Sequence, residues 1–101
     1  MNDLAVEIIP LEKLAGVLSD PGRWLILQEL GKGEPLPVQE LAKRTGRSAG
    51  MTSKHMATLR DAGVVVVGFG RLYQLAPVVR PAPGAKILDL GLCQLRLDVP
   101  A

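Results

Sequence analysis

Few side chains in this 101-residue sequence could do chemistry beyond packing. There is one histidine, His55, and one cysteine, Cys93. A tetrahedral metal site needs about four ligands of the right type. One His and one Cys per chain do not supply them, even across a dimer, so neither metal nor cofactor is expected. Catalysis is not expected either. There is no Ser/His/Asp set, no Gly-rich phosphate loop followed by a lysine, and no pair of carboxylates on an apolar face. The chemistry left is that of cations and hydroxyls. Arg44, Arg47, Lys54 and His55 can meet phosphates, and the hydroxyls of Thr52 and Ser53 can reach base edges.

The stretch that must position them runs from Thr45 to Gly63. Ser48 is a good N-cap, since its hydroxyl can accept from a backbone N–H left orphaned at a helix start. Met51, His55, Met56, Leu59 and Ala62 then recur at three- and four-residue spacing, which predicts one buried helix face. Gly63 closes that helix, because glycine reaches the left-handed C′ conformation freely. Upstream, Val38 to Thr45 reads as a shorter helix with Leu41 and Ala42 inward, ended by Gly46. Two short helices joined by a tight Gly-containing turn form a helix-turn-helix.

The flanks complete a small domain. Residues 1–9 fit a short strand or a frayed helical lead-in. Pro10 opens a helical spacing of Leu11, Leu14, Ala15 and Leu18. Asp20 and Pro21 cap and start another helix, with Trp24, Leu27 and Leu30 as its apolar stripe, Ile26 beside it, and Trp24 read as core. After Gly63, four consecutive valines (64–67) fit a strand better than a helix. Gly68-Phe69-Gly70 makes a tight turn, and Arg71 to Leu75 returns as the second strand of a hairpin. Pro77, Pro81 and Pro83 keep the next stretch extended. In the tail, Leu88, Leu90 and Leu92, then Leu95, Leu97 and Val99, alternate with other residues as β-structure. A phase slip at Cys93-Gln94 marks a bulge or a turn. Cys93 itself reads as a small hydrophobe on a strand.

Composition sets outer bounds. Apolar residues are 48% and charged residues 22%, so the chain folds, while aromatics at 3% leave the core to aliphatic side chains. The net charge of +2 permits nucleic-acid binding without demanding it. A single cysteine excludes an intrachain disulfide. The longest apolar run, Ala62 to Phe69, is too short to span a bilayer, and there is no basic-then-apolar leader. The expected location is the cytoplasm, with no membrane partner.

From Leu18 to Leu75 the chain resembles the ArsR-type winged helix-turn-helix regulators. Asp20, Pro21 and Arg23 match the family's Asp-Pro-x-Arg. Glu40, Leu41 and Ala42 match Glu-Leu-Ala before the turn. Ser53, His55, Met56, Leu59, Ala62 and Gly63 match its recognition-helix pattern. The resemblance implies a homodimer on double-stranded DNA, with the second helix of the motif in the major groove and the hairpin as a wing beside the backbone. It carries DNA contact onto Ser48, Ala49, Gly50, Thr52, Ser53, Lys54 and Arg71. Arg44, Arg47, His55 and Thr58 complete the candidate set.

Departures from the family bear on affinity. Ala49 and Gly50 stand where hydrogen-bonding side chains are usual, and Gly50 costs about 1 kcal/mol of helix propensity relative to Ala. Small residues there allow close approach to the groove. The wing is short and nearly free of Arg and Lys, and Phe69 at its tip is as suited to a protein partner as to a duplex. Metal-sensing relatives carry cysteines before the turn, where this chain has LPVQEL, or carboxylates and histidines in the last helix, where it has only Asp89, Cys93 and Asp98.

The fold expected is α+β: a winged helix-turn-helix of three to four helices plus a hairpin wing, with a C-terminal β-rich extension. Its organisation reads as an N-terminal segment (1–9), the winged domain (10–76), a Pro-rich connector (77–85) and a dimerisation tail (86–101). In that tail Leu88, Leu90, Leu92, Leu95 and Leu97 would pair with the N-terminal segment, with the symmetry mate, or with both. The function expected is that of a homodimeric, sequence-specific transcriptional regulator acting as a repressor. The alternative is a winged-helix protein-interaction module that has lost DNA binding.

Overall fold

The computed structural model describes residues 9–99, so the expectations for residues 1–8 and 100–101 lie outside it. Four helices come first: α1 (Leu11–Leu18), α2 (Pro21–Leu30), α3 (Val38–Thr45) and α4 (Ala49–Asp61). Their ends are set locally. Asp20 caps α2 by accepting from the Gly22 amide at 2.7 Å, with Pro21 at the first helical position. Gly46 (φ 72°) ends α3 in left-handed backbone, and Ser48 caps α4 by accepting from the Met51 amide at 3.1 Å. Gly63 (φ 81°) turns the chain out of α4, and the Val64 amide donates back to the Leu59 carbonyl.

The wing follows. Strands β1 (Val65–Val67) and β2 (Tyr73–Leu75) pair antiparallel, with Val65 opposite Leu75 and Val67 opposite Tyr73. Leu36, just before α3, adds a bridge to Tyr73 through two backbone hydrogen bonds of 2.9 and 2.8 Å. The wing is thereby tied to the start of the helix-turn-helix. This is a winged helix-turn-helix with an additional C-terminal hairpin.

The tail forms that hairpin: β3 (Ile87–Asp89) pairs with β4 (Gln94–Arg96). The phase slip is a turn, with Gly91 at φ 94° and the Asp89 carboxylate accepting from its amide. Leu88 and Leu90 join one core with Leu14, Val17, Ile26, Leu27, Leu41, Met56, Leu59, Val64 and Leu75. Leu95 and Leu97 pack against that core. Leu97 reaches the end of α2 because Gly31 has no side chain; a Cβ there would stand 2.9 Å from its Cδ1.

These positions correct the dimerisation set. Leu88 and Leu90 are buried within their own protomer, and Leu95 and Leu97 are half-buried on it, so only Leu92 remains largely exposed. Alternating leucines looked like a strand in search of a partner. The hairpin supplies the pairing from within, and the partner of its apolar side is the protomer's own helices. Two further expectations change. Trp24 is half-buried and not part of the core, and Met51 points to solvent while Thr52 takes its place on the inner face of α4.

Candidate nucleic-acid interface

The outer face of α4 is built from small and polar residues near its N-terminus. Ser48, Ala49, Gly50, Ser53 and Lys54 are exposed on it. With Met51's amide taken by the Ser48 hydroxyl, the first helical amides form the positive end of the helix, which favours an anion such as phosphate. Facing this end is the tip of the wing. A cleft of 480 Å³ separates them, with Ala49, Gly50 and Ser53 on one side and Arg71 and Tyr73 on the other. Gln39, from the first turn of α3, also lines it. Gln39 and Tyr73 were not among the sequence candidates, since nothing in their local pattern brings them beside the N-terminus of α4.

Two candidates on α4 are turned inward. Thr52 is fully buried, and its hydroxyl donates to the Ser48 carbonyl at 2.9 Å, which satisfies the group without any external partner. His55 is 4% exposed and belongs to the joint between α2 and α4. Both therefore leave the contact set. Thr58 is half-buried, with its hydroxyl donated to the Lys54 carbonyl. Arg44 is held by carboxylates, at 2.8 Å from Glu40, 3.3 Å from Glu34 and 3.7 Å from Glu29. The hydrogen bond from Arg44 holds the Glu40 carboxyl below its usual range and raises the guanidinium's own pKa. That charge is neutralised at home. By contrast, no ion pair engages Arg47, Lys54 or Arg71 among the described residues.

The joint around His55 explains why α4 stands where it does. Arg23 donates to Gly16 and Val17 carbonyls at the end of α1 and to His55 Nδ1 at 2.9 Å. An arginine only donates, so Nδ1 is the acceptor and Nε2 carries the proton. Nε2 in turn lies 3.7 Å from Asp20. Burial pushes the His55 pKa down; Asp20 opposes that shift, and Arg23 and Arg47 add to it. Asp20's own pKa is lowered, first by the Gly22 amide and then by the nearby cations. Gly22 is the keystone that sequence patterning missed. A Cβ there would stand 2.8 Å from His55 Nε2 and 2.9 Å from Arg47 Nε.

Comparison with known proteins places this geometry. Residues 20–67 match the family described as bacterial regulatory protein, arsR family. The chain is also 38% identical over 68 residues to the HTH-type transcriptional regulator YgaV of Escherichia coli (strain K12), covering 64% of this chain and 69% of that protein. The chain belongs to the ArsR family.

In this ArsR-family chain the matched span begins at the Asp20 cap and ends with β1. It includes the α2–α4 joint and the whole helix-turn-helix, while the C-terminal hairpin lies beyond it. Among the described residues no cluster of three or more His, Cys, Asp or Glu is placed to hold a metal. No described helix is long and apolar enough to cross a membrane. Cys93 is half-buried against the core, and burial raises its thiol pKa. A second hollow, of 580 Å³, lies between the end of α2 and the tail. Three of its charged groups are already paired, Lys32 with Glu29 and Asp98 with Arg96.

Proposed function

We propose that this chain is a DNA-binding transcriptional regulator of the cytoplasm that acts as a homodimeric repressor. The N-terminal half of α4 enters the major groove, and the wing lies along the adjoining backbone. The observation that carries this is the contrast along α4. Its inner face is sealed by Thr52, His55, Met56 and Leu59, while Ser48, Ala49, Gly50, Ser53 and Lys54 stand outward with no packing duty. Ser53 contacts base edges, Ala49 and Gly50 allow close approach, and Lys54, Arg47 and Arg71 meet phosphates. Residues 10–76 form the DNA-reading unit, and 77–85 connect it to a tail that completes its core.

The homodimer draws support from α1. Leu11, Ala15 and Leu18 are all exposed at four- and three-residue spacing, a self-complementary apolar stripe. Two-fold symmetry then matches paired half-sites in DNA.

A titration of labelled genomic fragments at two salt concentrations tests the proposal. Saturable binding that weakens with salt is expected. Absence of binding at low salt favours a protein-interaction module, the role to which the fully exposed Phe69 is otherwise suited.

A further inference from the structure

We infer that Phe69 is an apolar wedge that enters the DNA minor groove next to the major-groove site of α4 and bends the duplex there. The inference rests on the proposed DNA binding and adds a contact, and a deformation, to it. Its geometry begins with the cleft between α4 and the wing, walled by Ala49, Gly50 and Ser53 on one side and Gly70 and Arg71 on the other. In a duplex, the sugar–phosphate strand is what divides the major groove from the minor. With the start of α4 in the major groove, the bordering strand occupies that cleft, and the wing tip descends on its minor-groove side.

What the tip presents there is specific. Phe69 is 100% exposed, so no packing among the described residues accounts for a phenyl group at this position. Leaving that much apolar surface in water is unfavourable. The turn carrying it is nevertheless well defined. The Gly68 amide donates to the Leu72 carbonyl at 2.8 Å, and the Arg71 amide to the Gly68 carbonyl at 3.1 Å. Gly70 (φ 76°) and Arg71 (φ 60°) both take left-handed backbone, uncommon for a residue such as arginine. A held turn therefore offers one phenyl and one guanidinium within three residues. The guanidinium lines the cleft and can hold the strand's phosphate there, while the phenyl can do what apolar wedges of minor-groove binders do and partly unstack a base step. An anchor for a protein partner sits at the centre of a packed patch, whereas Phe69 stands between two glycines.

The test uses duplexes enriched from random DNA by the wild-type protein. They carry a donor–acceptor pair at the ends to read bending and 2-aminopurine beside the half-site to read unstacking. Wild type should bring the ends together and raise 2-aminopurine emission. Phe69→Ala, which should leave thermal stability unchanged, should bind about tenfold more weakly with neither signal; Phe69→Leu should restore most of the bend. Lys54→Ala should weaken binding yet leave the bend in the bound complex. If wild type binds but Phe69→Ala matches it in affinity and bend, the wedge is refuted while DNA binding stands, and the phenyl is left to a protein partner. If wild type binds no duplex at low salt, both are refuted.

Discussion

Gly50→Ala should make the protein more stable and a worse DNA binder. Gly50 is the second residue of α4, its backbone is helical, and a Cβ built on it meets nothing within 4 Å. The fold therefore does not require glycine there. Adding the methyl removes unfolded-state freedom and improves helix propensity, worth about 0.4–1 kcal/mol. For a domain of this size that raises the melting temperature by about 2–8 °C. Against DNA the sign reverses. The methyl sits where the helix comes nearest the groove, and overpacking a close contact costs about 1–3 kcal/mol, a loss of roughly 5- to 150-fold in affinity. Differential scanning fluorimetry and an anisotropy titration on one preparation read both effects. A higher melting temperature with unchanged or tighter binding would refute close approach at Gly50.

Other perturbations follow from the same geometry. Leu18→Glu on α1 should yield monomers in light scattering at tens of micromolar and weaken DNA binding, with helical content kept. Gly22→Ala should destabilise the domain by about 1–3 kcal/mol in urea unfolding, because the new methyl presses on His55 and Arg47. His55 has a folded pKa below its unfolded value of about 6.5. Its contribution is therefore complete above that pH and declines as pH falls from about 6.5 toward the folded pKa, where the unfolded chain binds the extra proton; His55→Gln should flatten that slope in urea midpoints. With Arg47, Lys54 and Arg71 on phosphates in each of two protomers, six contacts in all, log affinity should fall with log salt at a slope of about −5. Arg71→Ala should reduce that slope by about 2.

What the sequence made legible was local. Asp20, Gly46, Ser48 and Gly63 each act within four residues of themselves, so their residue types suffice to mark where helices begin and end. The β-branched run at 64–67 likewise declares a strand. The inner face of α4 was harder to place, because hydrophobicity favours Met51 over Thr52. The fold reverses that choice, since a threonine that donates to its own helix can be buried at little cost. The His55–Arg23–Asp20 joint and the need for Gly22 join residues more than thirty positions apart, and no periodicity carries such a relation. The β-structure of the tail is legible in its alternating leucines, but the burial of Leu88 and Leu90 within their own protomer is not. Alternation reports that one side of a strand is apolar, not whether the surface covering it belongs to the same protomer.

The most direct measurement is selection of bound duplexes from random DNA by the wild-type protein, with Ser53→Ala and Lys54→Ala run beside it. A protein that reads DNA through the outer face of α4 should enrich two inverted half-sites spaced by about one helical turn, 10–10.5 base pairs between centres, or a multiple of it. Ser53→Ala should change the enriched bases, whereas Lys54→Ala should weaken binding without changing them. No enrichment at low salt, or identical motifs from wild type and Ser53→Ala, would contradict the placement of α4 in the groove.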